Sequence, residues 1–346
     1  MEPKANKHLR YIDGYKGLAI ILVIIGHLNI LNLGSVCNCI FFVVSGFLAV
    51  SPFKETDNRF RSIKDILYYY YGKIIRIIPS LYIVLLLVLL LTDEHFMPIS
   101  KNISNFFLTD MYAHLWFVQQ IMFMYLITPL TTLFFSLLSR LSKFFKSNLT
   151  KAIIALIIAA VFRFFLTPDY FYFRYSSGRI VIYLHEYLIG CAVAYFYMYI
   201  KNSLLMTHIS KYKFTISSLQ IMILVFIFLT SDQLLTKLSP KLSRFYFGRE
   251  YPLICCLIVG LLLLLMVLNE DSAASKLFSI RPLTFFGKIS LQLYLIHWFL
   301  IPYIKIENLL IKSLLLIAIS SLTGYILFKI NELIAKKISL PPKRLS

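Results

Sequence analysis

The stretch YIDGYKGLAIILVIIGHL, residues 11–28, carries two side chains able to do chemistry, Lys16 and His27, with ten uncharged residues between them. Beyond His27 the next charged residue is Lys54. An ionisable group in lipid is costly, so an imidazole this deep in apolar sequence is a candidate for function. If the segment is helical, eleven steps of about 100° return to within roughly 20° of the starting face, and both side chains point the same way. They stand about 16 Å apart along the axis, too far to touch but able to line one groove. The groove would hold a cation at its mouth and an imidazole halfway through the membrane. It suits a ligand with an anionic head and a long thin arm, the form of a coenzyme A thioester. Lysine holds phosphate as a point charge. Imidazole accepts a proton near neutral pH, or takes an acyl group itself. Spacing alone leaves a second reading open, with Lys16 an interfacial lysine and His27 a hydrogen-bonded packing residue. Asp13, three residues before Lys16, either pairs with it or caps the helix start.

The elements that position these residues follow from hydropathy. The chain has 346 residues and is 59% hydrophobic, with a mean hydropathy of +0.77. A soluble domain of this length would carry more polar surface. Apolar runs of about 16 to 22 residues recur throughout, close to the length that crosses a roughly 30 Å hydrocarbon layer. The expectation is an all-α polytopic membrane protein of about ten transmembrane helices, near 17–33, 36–50, 77–92, 114–136, 152–167, 180–200, 215–231, 252–268, 283–304 and 309–330. Residues 1–16 form a cytoplasmic tail, 17–334 the membrane domain, and 335–346 a basic cytoplasmic tail. The polar, basic start lacks a small-residue cleavage site, so the first span is expected to remain as an anchor.

The formal charge is +19, which raises the question of nucleic acid. The distribution answers it. With both termini cytoplasmic, 25 of the 35 Lys and Arg residues fall on the cytoplasmic side, as the positive-inside rule requires. The charge is topology plus attraction to anionic lipid, and nucleic acid is not expected as a partner. Lys237, Lys241, Arg244 and Arg249 in the 231–251 loop depart from the pattern. They read either as a late loop that escapes the rule or as a basic patch for an acidic glycan or head group. The five cysteines have no paired spacing, and no metal is expected from them.

Five segments in order carry a resemblance: YIDGYKGLAIILVIIGH (11–27), FFVVSGFL (41–48), YYGKIIRIIPSLY (70–82), HLWFVQQIMFMYLITPL (114–130) and FFGKISLQLYLIHWFLI (285–301). Together they resemble acyltransferase family 3, bacterial integral-membrane enzymes that modify surface polysaccharides and related carbohydrates. Most members carry arginine where this chain has Lys16; the relatives that modify sugar hydroxyls, including the fucose acetylase group, are similar in having lysine there. Lysine keeps the charge without arginine's bidentate fork. The resemblance implies His27 as the catalytic residue, with Lys16, Arg76, Ser45 and Trp116 binding the donor. Gly46 would let a backbone or ligand come close.

The remaining candidates have plainer readings beside the functional ones. Arg76 is a topology arginine or a fork for the donor's phosphates. Glu186 follows His185 in the sixth span; neighbours on a helix point about 100° apart, so the two are not expected to pair. Glu186 then serves a structural salt bridge, a sugar hydroxyl or a proton relay. Tyr294 and His297 share a helix face and either pack or support the acceptor. Trp116 also suits an interfacial belt. The expected activity is transfer of an acyl group, foremost acetyl, from cytoplasmic acyl-CoA to a hydroxyl of a surface-polysaccharide or other carbohydrate acceptor in the bacterial cytoplasmic (inner) membrane. Acetyl-CoA would be the donor substrate, with no tightly bound cofactor. A glycolipid transporter or flippase, with His27 and Glu186 coupling protons, is the alternative; the absence of visible repeated halves with broken helices weighs against it.

Overall fold

The computed structural model describes residues 9–31, 33–50, 60, 62–91, 99–109, 111, 113–166, 183–229, 237 and 251–338. Among these the regular structure is helical, with no strand. The helices are α1 (Arg10–His27), α2 (Gly34–Val50), α3 (Ile63–Leu91), α4 (Ile99–Phe106), α5 (Trp116–Leu141), α6 (Lys143–Lys146) and α7 (Asn148–Val161). After them come α8 (Leu184–Lys201), α9 (Leu205–Lys211), α10 (Lys213–Leu229), α11 (Tyr251–Leu268), α12 (Ala273–Phe278), α13 (Arg281–Lys288), α14 (Ser290–Leu300) and α15 (Leu309–Ile338). One continuous apolar core runs through α1, α2, α3, α5, α8, α11 and α14.

Among the described residues, four helical stretches are long and apolar enough to cross a membrane: Ile63–Leu91, Ala113–Leu141, Asn148–Phe165 and Leu309–Ile338. A bent pair, Arg281–Lys288 with Ser290–Tyr303, makes a fifth if counted as one span. The protein is therefore an all-α membrane protein. Three shorter apolar helices lie at Val36–Val50, Lys213–Leu229 and Leu253–Leu268. Helices α1 and α8 are each 18 residues long and carry charge within that length, Arg10, Asp13 and Lys16 in one and Glu186 and Lys201 in the other.

The structure corrects three boundaries. Helix α1 starts at Arg10 and ends at His27 rather than covering 17–33. Past the exposed Arg10 its first turns pack against neighbouring helices, with Asp13 buried and Lys16 partly so, and polarity therefore does not mark its edge. Its stop comes at Asn29, whose φ of 57° is a left-handed conformation that asparagine tolerates. His27 is thus the last residue of its helix, not an imidazole halfway along a span. The third span begins at Ile63, well before residue 77. The 283–304 run is two helices meeting at 79°. Of the 231–251 loop only Lys237 and the start of α11 are described; Lys241, Arg244 and Arg249 lie outside the described residues, as do 1–8 and 339–346.

Two close helix contacts depend on glycine. A Cβ on Gly17 would lie 1.9 Å from the Leu283 carbonyl oxygen, and one on Gly287 would lie 1.8 Å from that of Asp13. These positions let α1 and α13 cross backbone to backbone. The same holds between α2 and α8, where a Cβ on Gly46 would come within 1.8 Å of the Tyr187 oxygen and one on Gly190 within 2.0 Å of the Val43 oxygen. Gly46 therefore admits a backbone. Helix α3 tolerates Pro79 for a definable reason. Proline removes the N–H that would bond the carbonyl four residues earlier, and Asn331 Nδ2 of α15 donates to that Ile75 oxygen at 3.3 Å and to Arg76 at 3.4 Å.

Candidate active site

Helices α1, α2, α3, α5 and α14 enclose a cavity of about 860 Å³ counted with its open mouth. Three cations line it: Lys16 from α1, and Lys73 with Arg76 from α3. Lys73 and Arg76 are three apart on one helix, so their side chains share a face. Asp13 pairs with Lys16 at 2.7 Å; of the two readings of Asp13, pairing is the one present. Lys73 Nζ lies 4.0 Å from the centre of the Tyr125 ring and 5.3 Å from that of Tyr69, within cation–π range. Ser45 and Ser290 add hydroxyls to otherwise apolar walls of Phe41, Val44 and Phe117. A cationic mouth on an apolar slot is suited to an amphiphilic anion.

Tyr294, buried, also lines this cavity. It belongs equally to a cluster of imidazoles at the far end of α14. Its hydroxyl donates to the backbone carbonyl of His114, and its ring centre stands 5.3 Å from that of His114 and 5.7 Å from that of His297. His297 lies 5.1 Å from His27 and 5.2 Å from His114, centre to centre. Trp298 closes the group with its ring edge to His27 at 4.8 Å. Lys16 thus shares a cavity with Ser290, Leu291 and Tyr294, and His27 packs on His297 and Trp298. Both ends of the α1 stripe face α14. His27 itself is half-buried and lies outside the cavity lining; Tyr294 and His297 bridge the interval.

The structure does not bring all the expected residues here. Trp116, the first residue of α5, is outside the lining and stacks at 5.0 Å on Tyr183, which in turn stacks on Phe42 of α2. Glu186 is wholly buried away from His27, in a second polar cluster with Cys39 and Cys256 whose ligand-type atoms all lie within 4.8 Å of one another. His185 Nε2 reaches Glu186 Oε1 at 4.0 Å, so the two do approach although their helical positions diverge; long side chains close the gap. This trio has the residue types of a soft-metal site. Within it the Cys256 thiol faces that of Cys39 across α2 and α11.

Sequence reasoning missed Lys73, though it sits three residues before Arg76 and the spacing was visible. It gave no role to His114, which meets His297 only through tertiary packing.

The family model for the acyltransferase domain, acyltransferase 3, matches residues 9–329. Peptidoglycan O-acetyltransferase OatA of Listeria monocytogenes serovar 1/2a is similar to this chain, 26% identical over 326 residues that cover 85% of this chain and 49% of that protein. The chain thus spans about half the length of that curated relative. No solved structure matches the chain. With the cationic slot and the imidazole cluster both drawn from segments inside the matched residues, this chain belongs to the acyltransferase 3 family.

Proposed function

We propose that this protein is a membrane O-acetyltransferase that moves an acetyl group from cytoplasmic acetyl-CoA to a hydroxyl of a cell-envelope carbohydrate. Its site would lie in the bacterial inner membrane, within a bundle of about ten spans with both termini cytoplasmic. The observation that carries the reading is the cavity in which Lys16, Lys73 and Arg76 surround a slot walled by Tyr294, whose ring stands beside His297, itself packed on His27. Three cations match the phosphate groups of a coenzyme A head, with Arg76 able to grip one through its planar fork. The apolar walls suit the pantetheine arm. Ser45 offers a hydroxyl along the way.

At the inner end, His27 takes the proton of the acceptor hydroxyl as that oxygen attacks the thioester carbonyl. The coenzyme A thiolate leaves and recovers the proton from the imidazolium, so charge and atoms balance. A two-step route, in which His27 first carries the acetyl group and then releases it to the hydroxyl, uses the same residues. The similarity to a peptidoglycan O-acetyltransferase favours a glycan acceptor, lipid-linked or in the envelope.

The test is transfer of label from acetyl-CoA to glycan by the purified protein in nanodiscs. Wild type is expected to produce base-labile acetyl groups visible by NMR on the glycan. A His27→Ala protein that reaches the membrane and transfers at the wild-type rate would end this reading.

A further inference from the structure

His297 is held in one tautomer by its own helix. Its Nδ1 lies 3.1 Å from the Leu293 carbonyl oxygen and 2.9 Å from that of Tyr294. Carbonyl oxygens only accept, so Nδ1 carries the proton, and in the neutral ring Nε2 is left as an acceptor. That Nε2 is buried and makes no hydrogen bond, which is costly for a group taken out of water. His114 behaves alike. Its Nε2 faces the Leu295 oxygen at 3.3 Å, leaving Nδ1 as a second buried acceptor with no hydrogen bond. Two acceptors cannot bond to each other, so His114 cannot supply the proton that Nε2 of His297 lacks. The neighbour in place is His27. An N–H···N hydrogen bond of about 2.9 Å between two imidazoles set edge to edge separates their centres by roughly 5.2 Å. The His27 and His297 centres are 5.1 Å apart, with the rings inclined by 32°, a separation that admits such a bond although Nε2 of His297 makes none in this conformation.

We propose that His297 is a positioning residue: a turn of the half-buried His27 ring closes this gap, and Nε2 of His297 then accepts the N–H of His27, so that the other nitrogen of His27 is the one presented to the reacting hydroxyl. This rests on the reading of His27 as the base. A histidine free to exchange tautomers presents its lone pair only part of the time; one tethered by a fixed acceptor presents it continuously. The same contact shares the positive charge when His27 takes up a proton, the role a carboxylate fills in a serine–histidine–aspartate triad. Here a neutral ring stands in for the carboxylate, and Tyr294 and Leu293 hold that ring through their backbone carbonyls.

The experiment compares wild type, His297→Gln and His297→Leu in nanodiscs by two readouts. One is steady-state acetyl transfer. The other is the rate at which diethyl pyrocarbonate modifies His27, followed by mass spectrometry in the absence of substrates. Glutamine places a carbonyl oxygen near the position of Nε2, whereas leucine keeps the bulk and removes the acceptor. His297→Leu is expected to lower kcat by about 100-fold, the scale of a misdirected general base, with KM for acetyl-CoA changed by less than about 2-fold, and to slow labelling of His27. His297→Gln is expected to recover both to within about 10-fold of wild type. Equal impairment of the two variants, a change in KM alone, or labelling of His27 at the wild-type rate in His297→Leu would overturn the proposal. Loss of acetyl transfer in wild type would instead remove the proposed function, while the labelling rates would still report on the ring pair.

Discussion

The imidazole cluster and the thiol–carboxylate cluster both sit in this core, and they differ in access. His27, His114 and His297 adjoin Tyr294, which lines a cavity with a cationic mouth. Cys39, Glu186 and Cys256 are fully buried between α2, α8 and α11, deeper than the half-buried His27, and none of them lines that cavity. Both break the rule that an apolar interior excludes ionisable groups. The first adjoins a cavity by which an anionic ligand can approach, and the second lines no part of that cavity. Burial of polar groups marks both places, and access separates a site from a structural feature.

The largest effect that would sharpen this contrast is expected at His27. Replacing it with alanine should lower the transfer rate by about 10² to 10⁴, the usual contribution of a general base, while the protein still extracts and runs as a folded species on size exclusion. Arg76→Ala should act differently, raising KM for acetyl-CoA about 10-fold with kcat nearly unchanged; one charge-assisted hydrogen bond to phosphate is worth about 1.5–3 kcal/mol when buried, and Arg76 is exposed. Arg76→Lys should recover part of that loss, measured in the same titration. Gly46→Ala tests packing. Its new methyl would meet the Tyr187 oxygen, so thermal stability should fall by about 1–3 kcal/mol as α2 and α8 are forced apart. Smallest of all, Cys39→Ser and Cys256→Ser should leave kcat/KM within about 3-fold, well short of the loss that removing a catalytic group brings. A loss at either thiol as large as that at His27 would erase the distinction between the two clusters.

Much of the proposed site was legible in the sequence because its information is local. Lys16 and His27 lie on one helix, and eleven residues at helical pitch set them on one stripe; helix α1 and its facing partner α14 keep that stripe together. Lys73 was legible by the same logic, three residues before Arg76. The bend at residue 289 was not. FFGKISLQLYLIHWFLI is one apolar run with a single charge at Lys288, and hydropathy records composition without chain direction. The start of α1 was hidden for the opposite reason: Arg10, Asp13 and Lys16 look like a tail but belong to a helix packed through Gly17 on α13. The meetings of His114 with His297, and of Cys39 with Cys256, join residues 183 and 217 positions apart. Such pairings are made by the fold, and no spacing announces them.

The central claim is that the cationic cavity and His27 are the two ends of one donor path. A cryo-EM structure with acetonyl-CoA, a non-transferable ketone analogue of the donor, tests it most directly. The account predicts phosphate density among Lys16, Lys73 and Arg76, and the ketone carbon past Tyr294 within about 4 Å of a His27 nitrogen, the separation of reacting groups poised for attack. A ligand whose reactive end points away from Tyr294, or phosphates bound elsewhere on the protein, would contradict it.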